Sequence, residues 1–157
     1  MKDVLRKAAV TAVYLLIGAV CGLMLNFLIM HSPLPDIFPA YTESLRGKLF
    51  SVDIITGIFL YCLLAPVIEE LLFRRIAYDL LYERIGFQAA AVFSSLIFAL
   101  YHMNMIQGIY AFIMGILFCM LYHRDHRIAV PISLHIGANL AVWSLGNMLS
   151  LTFLPRC

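Results

Sequence analysis

Charge is what this sequence has least of. Asp, Glu, Lys and Arg make up only 13% of its 157 residues, against 63% hydrophobic, and the mean hydropathy is +0.93. A water-soluble domain is about half apolar and about a quarter charged, so that class is excluded and an integral membrane protein is expected. The net charge of +2 is too small, and the basic residues too scattered, for a nucleic-acid-binding surface. Cysteine is scarce as well. Cys21, Cys62, Cys119 and Cys157 show no CxxC spacing, and three lie in apolar runs, so they read as small core hydrophobes. HExxH is absent, which removes the usual zincin arrangement. GxSxG is absent too, Ser94 and Ser95 read as packing residues, and Cys119 has no obvious base.

What is present is a succession of apolar runs. Residues 8–30 contain one polar interruption, Asn26, and no charge. About 20 apolar residues cross a bilayer core, and this run is too long for a signal-peptide core, so it is expected to be a retained transmembrane helix. Residues 31–52 hold three prolines and both charge signs, and read as a loop with an interfacial helix near its end. After Asp53, a helical pattern runs to about Arg84. That is longer than a hydrocarbon core of about 30 Å requires, so the helix is expected to tilt, kink at Pro66 or emerge into the interface. Three further runs begin at Gly86, Ile106 and Ile128. The expected fold is all-α: a polytopic transmembrane bundle of about five spans enclosing a polar cavity, one membrane domain over 1–157 with its core at 53–150.

Orientation follows from Lys and Arg near the span ends. Eight of the eleven (Lys2, Arg6, Lys7, Arg74, Arg75, Arg84, Arg124 and Arg127) fall on one side, leaving Arg46, Lys48 and Arg156 on the other. The amino terminus is therefore expected to be cytoplasmic. A chain this compact is expected in a bacterial cytoplasmic membrane.

Inside the apolar runs the ionisable residues are few: Glu69, Glu70, Arg74, Arg75, His102 and His135, with Asn26, Asn104 and Asn139 as strong polar groups. An ionisable group at membrane depth is a functional-site candidate by default. Glu70 and Arg74, spaced i,i+4, share a helix face and are expected to pair. Glu69 lies about 100° away around the helix and is expected to stand unpaired. Two carboxylates in unequal environments are how one site obtains separate roles. Phe98 and His102 are i,i+4, as are His135 and Asn139. In a bundle with little else polar, these groups are one another's best partners. Gly137 and Ala138 between them leave room for a neighbouring helix or a substrate backbone. A carboxylate base, a histidine to orient water, and an imidazole with an amide to stabilise an oxyanion are a kit for peptide hydrolysis without a covalent intermediate. The same residues leave open a metal site of Glu69, His102 and His135, and a non-enzymatic immunity or assembly factor.

The segments EELLFR (Glu69–Arg74), FALYH (Phe98–His102) and HIGAN (His135–Asn139) resemble the motifs EExxxR, FxxxH and HxxxN. These occur in that order in the CAAX-protease and bacteriocin-processing (CPBP, or Abi) family of intramembrane glutamic proteases. The resemblance covers about residues 53–150. It implies a membrane endopeptidase acting on a membrane-associated peptide or protein, such as a prenylated tail or a bacteriocin or pheromone precursor, without a cofactor or metal. It implies that Glu69 activates water, that Glu70 and Arg74 support it, that His102 assists the water, and that His135 and Asn139 stabilise the oxyanion. Phe73 and Phe98 are expected to contact substrate. Arg75 has no motif position and reads as an interface charge. Family members commonly carry more helices than five, so a second copy or a partner subunit is an alternative to a cavity closed by this chain alone.

Overall fold

A computed structural model describes residues 2–39 and 52–153, with backbone alone from 149 onward. The described residues are helical apart from short connections and contain no strand. Helix α1 spans Lys2–Met30, and a single turn, α2, spans Leu34–Ile37. The interfacial helix expected near residue 50 lies outside the described residues.

Residues Ile54–Tyr101 are helical, with a break at Gly86. Asp53 caps the start of this stretch, accepting the Thr56 amide at 3.0 Å. The bonds from Thr56 hold this exposed carboxyl below the usual carboxylate range. The stretch is not α-helical throughout. α3 (Ile54–Gly57) gives way to a π-helix, π1 (Ile58–Leu64), then α4 (Ala65–Glu70), a second π-helix, π2 (Leu71–Tyr78), and α5 (Asp79–Tyr101). Sequence periodicity leads to a plain helix that tilts, kinks at Pro66 or emerges into the interface. The structure instead widens the turn on both sides of the segment that carries the carboxylates, as π-bulges often do at functional sites.

At 48 residues, a straight rod would be about 72 Å long, more than twice a bilayer core. Gly86 resolves this. Its φ of 74° and ψ of 177° belong to a region open only to glycine, and the chain reverses there. The arm after Gly86 packs back on π2, bringing the Phe98 ring 5.0 Å from that of Phe73. Helices α6 (Met105–Asp125) and α7 (Ala129–Phe153) complete the bundle. Among the described residues, four helices are long and apolar enough to cross a membrane, and the reversal at Gly86 divides one of them into two arms, which gives five candidate passes.

The outer faces are apolar. Ile55, Leu16 and Leu100 are 80%, 65% and 66% exposed, a distribution suited to lipid. Inside, α1 and α7 make the most extensive helix pair. Gly18 lies against the Leu134 backbone and Gly137 against the Leu15 backbone, and a β-carbon on Gly22 would come within 2.9 Å of Ala138. Without a hydrophobic drive between helices in lipid, such small-residue contacts supply the packing. The small residues beside His135 thus admit α1.

Polar groups tie the two ends of the bundle differently. At one end, the Tyr14 hydroxyl donates to Asp125, which Arg124 also contacts. Arg75 reaches Asp79 and Tyr122 there, and Tyr78 pairs with His123. The lysines and arginines of α1 and the α6–α7 turn belong to this end. The other end, where α1 and α5 finish and α6 begins, is hollow.

Candidate active site

Glu69 and Glu70 fall in the α-helical interval between the two π segments. Glu70 is fully buried. Its Oε2 lies 3.0 Å from Nε of Arg74, also fully buried. The remainder of the guanidinium sits between two rings, its carbon 4.5 Å from the Phe98 centroid and 5.3 Å from that of Phe118. Aromatic faces attract a cation most strongly when it is desolvated. Gly115 makes the room: a β-carbon there would stand 3.1 Å from Arg74 Nη2. Beneath lie Ser94 and Ser95, each with its hydroxyl within hydrogen-bonding reach of the Cys119 sulfur.

His135 is the hinge of the cluster. Its Nδ1 is 2.7 Å from Glu70 Oε1, and its Nε2 is 3.6 Å from Glu69 Oε2. One imidazole therefore stands between the two adjacent carboxylates. The expectation that Glu69 is unpaired is corrected here. Around one helix the two glutamates diverge, but a ring from a different helix is wide enough to reach both.

His102 closes α5. Its Nδ1–H donates to the Phe98 carbonyl at 2.9 Å, because a carbonyl can only accept. That bond puts a proton on Nδ1, so Nε2 is the ring nitrogen that can accept when the imidazole is neutral. The Phe98 ring packs edge-on against both His102 and His135, at 4.9 and 5.8 Å.

Asn139 is held from an unexpected quarter. Its Nδ2 donates to the backbone carbonyl of Tyr61 at 2.9 Å. In π1 the hydrogen bonds run from residue i to i−5, as from Ala65 N–H to Leu60 O. The next bond in that register would come from residue 66 to Tyr61 O, and Pro66 has no N–H. Asn139 supplies the missing donor. This link could not be seen without the π register, which no sequence period announces.

A cavity of about 760 Å³ opens beside these groups, within the size range of small-ligand pockets. Glu69, His102, His135, Asn139 and Phe98 line it, whereas Glu70 and Arg74 do not. Phe73 lies behind Phe98 rather than on the wall, in a cluster with Phe98 and Ala111. Asn26 and Phe27 of α1, Gln107 of α6 and Trp143 of α7 form further parts of the wall. Among the described residues, no group of three or more His, Cys, Asp or Glu side chains is placed to hold a metal ion. Glu69, His102 and His135 share the cavity without forming a metal-ligand cluster.

A helical membrane bundle with a dry ion pair, two histidines and a second carboxylate on a cavity wall defines the class. The chain belongs to the Type II CAAX prenyl endopeptidase Rce1-like family, whose family model matches residues 51–141. It is similar to the "Putative membrane peptidase YdiL" of Bacillus subtilis (strain 168), 38% identical over 80 residues, which is 51% of this chain and 33% of that protein. It is also similar to the "Membrane-embedded CAAX protease MroQ" of Staphylococcus aureus (strain USA300), 35% identical over 88 residues, 52% of this chain and 36% of that one. The matched segment thus spans about a third of each relative's length. No solved structure matches.

Proposed function

We propose that this chain is an intramembrane endopeptidase that hydrolyses a peptide bond of a membrane-anchored substrate, with Glu69 as the base that activates water. The observation that carries this reading is the contrast between adjacent carboxylates. Glu70 is dry and neutralised by Arg74, whereas Glu69 lies on the cavity wall within reach of the His135 ring.

The chemistry balances on this chain's own residues. Glu69 takes one proton from water while the His102 Nε2 lone pair accepts a hydrogen bond from the same water. The water oxygen bonds to the substrate carbonyl carbon, and the carbonyl oxygen becomes an oxyanion. Asn139 has a second Nδ2 hydrogen beyond the one given to Tyr61, and His135, when Nε2 carries a proton, is a second donor. Both face the developing charge, where preorganised donors matter most. When the C–N bond breaks, the proton on Glu69 passes to the leaving nitrogen. The Glu70–Arg74 pair does not touch the reactants and fixes His135 through Nδ1.

The family's description supports a prenylated C-terminal tail as substrate, and the motif resemblance adds other membrane-associated peptides such as a bacteriocin or pheromone precursor. The bilayer is the medium shared by enzyme and substrate. The basic end is assigned to the cytoplasm in a bacterial membrane. The test is to incubate the purified protein and its Glu69→Gln variant with a panel of prenylated peptides and membrane-peptide precursors, reading products by mass spectrometry. Cleavage by the parent and none by the variant is the expected result. Equal cleavage by both would remove Glu69 from the reaction.

A further inference from the structure

Four asparagines stand in or beside the apolar runs, and three have structural employment. Asn147 donates to the Trp143 carbonyl one turn earlier at 2.9 Å. Asn104 caps α6, accepting the Gln107 amide at 3.2 Å. Asn139 fills the gap left by Pro66. Asn26 has none of these roles. Its carboxamide sits near the end of a 29-residue helix with no charge between Lys7 and Met30, and among the described residues it has no hydrogen-bond partner. It lines the 760 Å³ cavity.

A carboxamide within an apolar helix is costly unless something bonds it. Asparagine often joins transmembrane helices by such a bond, but α1 is joined to α7 by the Gly18, Gly22 and Gly137 contacts instead. Asn26 follows on the same stripe, one turn after Gly22. The stripe carries α1 to the rim of the cavity, and the first polar group there is Asn26. Across the cavity, on α6, the carboxamide of Gln107 is also on the wall and likewise without a partner among the described residues.

A carboxamide offers one acceptor and two donors. That set matches a peptide backbone, which offers both N–H and C=O at each residue, better than it matches a charged or apolar group. We infer that Asn26 is a substrate-binding residue that hydrogen-bonds the backbone of the peptide lying in the cavity, with Gln107 as a second such contact. Because the family match begins at residue 51, α1 is outside it, and this contact is supplied by a helix beyond the matched core. The inference rests on the endopeptidase reading for the identity of the ligand as a peptide.

The chain has one tryptophan, and it is on the cavity wall, so intrinsic fluorescence reports occupancy without a label. The probe is a farnesylated Cys-aliphatic-aliphatic-X peptide added to protein in lipid nanodiscs. Binding is read in the Glu69→Gln background, so that no turnover intervenes, and cleavage is read separately in the parent. Asn26→Leu is expected to raise Kd about tenfold, the scale of a lost hydrogen bond that leaves a buried group unpaired. In the parent it should raise KM by a similar factor with kcat little changed and thermal melting unchanged. Asn26→Ala, which adds no bulk, should do the same. Unchanged Kd in both variants would overturn the inference and assign the carboxamide to water in the cavity. Binding weakened by Asn26→Leu, with no cleavage by the parent, would support the inference while sinking the endopeptidase reading. No fluorescence response to the probe or to an unprenylated peptide of the same sequence would overturn both.

Discussion

Asn139 donates to the backbone carbonyl of Tyr61, five residues before Pro66, and so replaces the hydrogen bond that the proline withholds from its own helix. The motif asparagine is positioned by a defect in a different helix. Pro66→Ala restores an N–H that competes for Tyr61 O. The variant is expected to melt at the same temperature or higher, since a helix-interior proline costs about 3 kcal/mol. Its kcat should fall about tenfold as Asn139 is released. Kinetics beside a melting curve would check this, and unchanged kcat would detach Asn139 from catalysis.

Removing one member of the dry ion pair should be worse for folding than removing Glu69. Arg74→Leu leaves Glu70 buried without its counterion, a loss of about 3–5 kcal/mol. Arg74→Lys is not conservative here, because the planar guanidinium fills the slot between Phe98 and Phe118 and an ammonium does not. Both variants should show reduced yield and lower melting temperature in detergent. A wild-type melting temperature for Arg74→Leu would argue against the pair as a structural element.

Glu69→Gln and His102→Ala should behave in the opposite way. Glu69 is on the cavity wall, and its side chain is 14% exposed, so its substitution is expected to leave melting within about 1 °C. Loss of an acid–base group lowers turnover by about 10²–10⁴-fold. Added chelator should leave parent activity unchanged. Activity lost to chelator and restored by a divalent cation would instead favour a metallopeptidase.

Gly18 and Gly137 set the distance between α1 and α7. Gly137→Val forces a β-carbon into the Leu15 backbone, and overpacking of this kind costs about 1–3 kcal/mol. Because α1 forms part of the cavity wall, Trp143 emission should shift to longer wavelength as water enters. Emission and melting identical to the parent would mean that α1 and α7 do not need this contact.

The cavity lies at the end of the bundle away from Tyr14, Arg124 and Asp125. With the basic end cytoplasmic, as the lysine and arginine bias favours, the cavity faces the other side of the membrane. Single cysteines placed at Asp3 and at Met103, which is 92% exposed, would test this in a chain whose own cysteines are replaced. An impermeant maleimide added to intact cells should label the second and not the first. The reverse labelling would invert the orientation and open the cavity to the cytoplasm.

Much of the bundle could be read from the chain because lipid leaves few choices. Uninterrupted apolar runs must become helices, since every backbone group has to be satisfied within the segment. The pairing of Glu70 with Arg74 was legible for the same local reason, as residues four apart share a face. The contact of His135 with both glutamates was not, because it joins residues 65 positions apart in sequence and depends on how α7 packs against α4. The π segments left no trace in composition or period.

By itself, then, the sequence determined a polytopic helical membrane protein and the short set of polar residues that its apolar helices have to accommodate. It could do so because local hydrogen bonding and transfer out of water act over a few residues at a time. Only the tertiary structure decided that Glu69 faces His135 rather than standing alone, that Asn139 is held by a carbonyl Pro66 leaves vacant, and that Asn26 on α1 looks into the same cavity. Those relationships depend on helix rotation and close approach, fixed by where glycine lets two backbones meet.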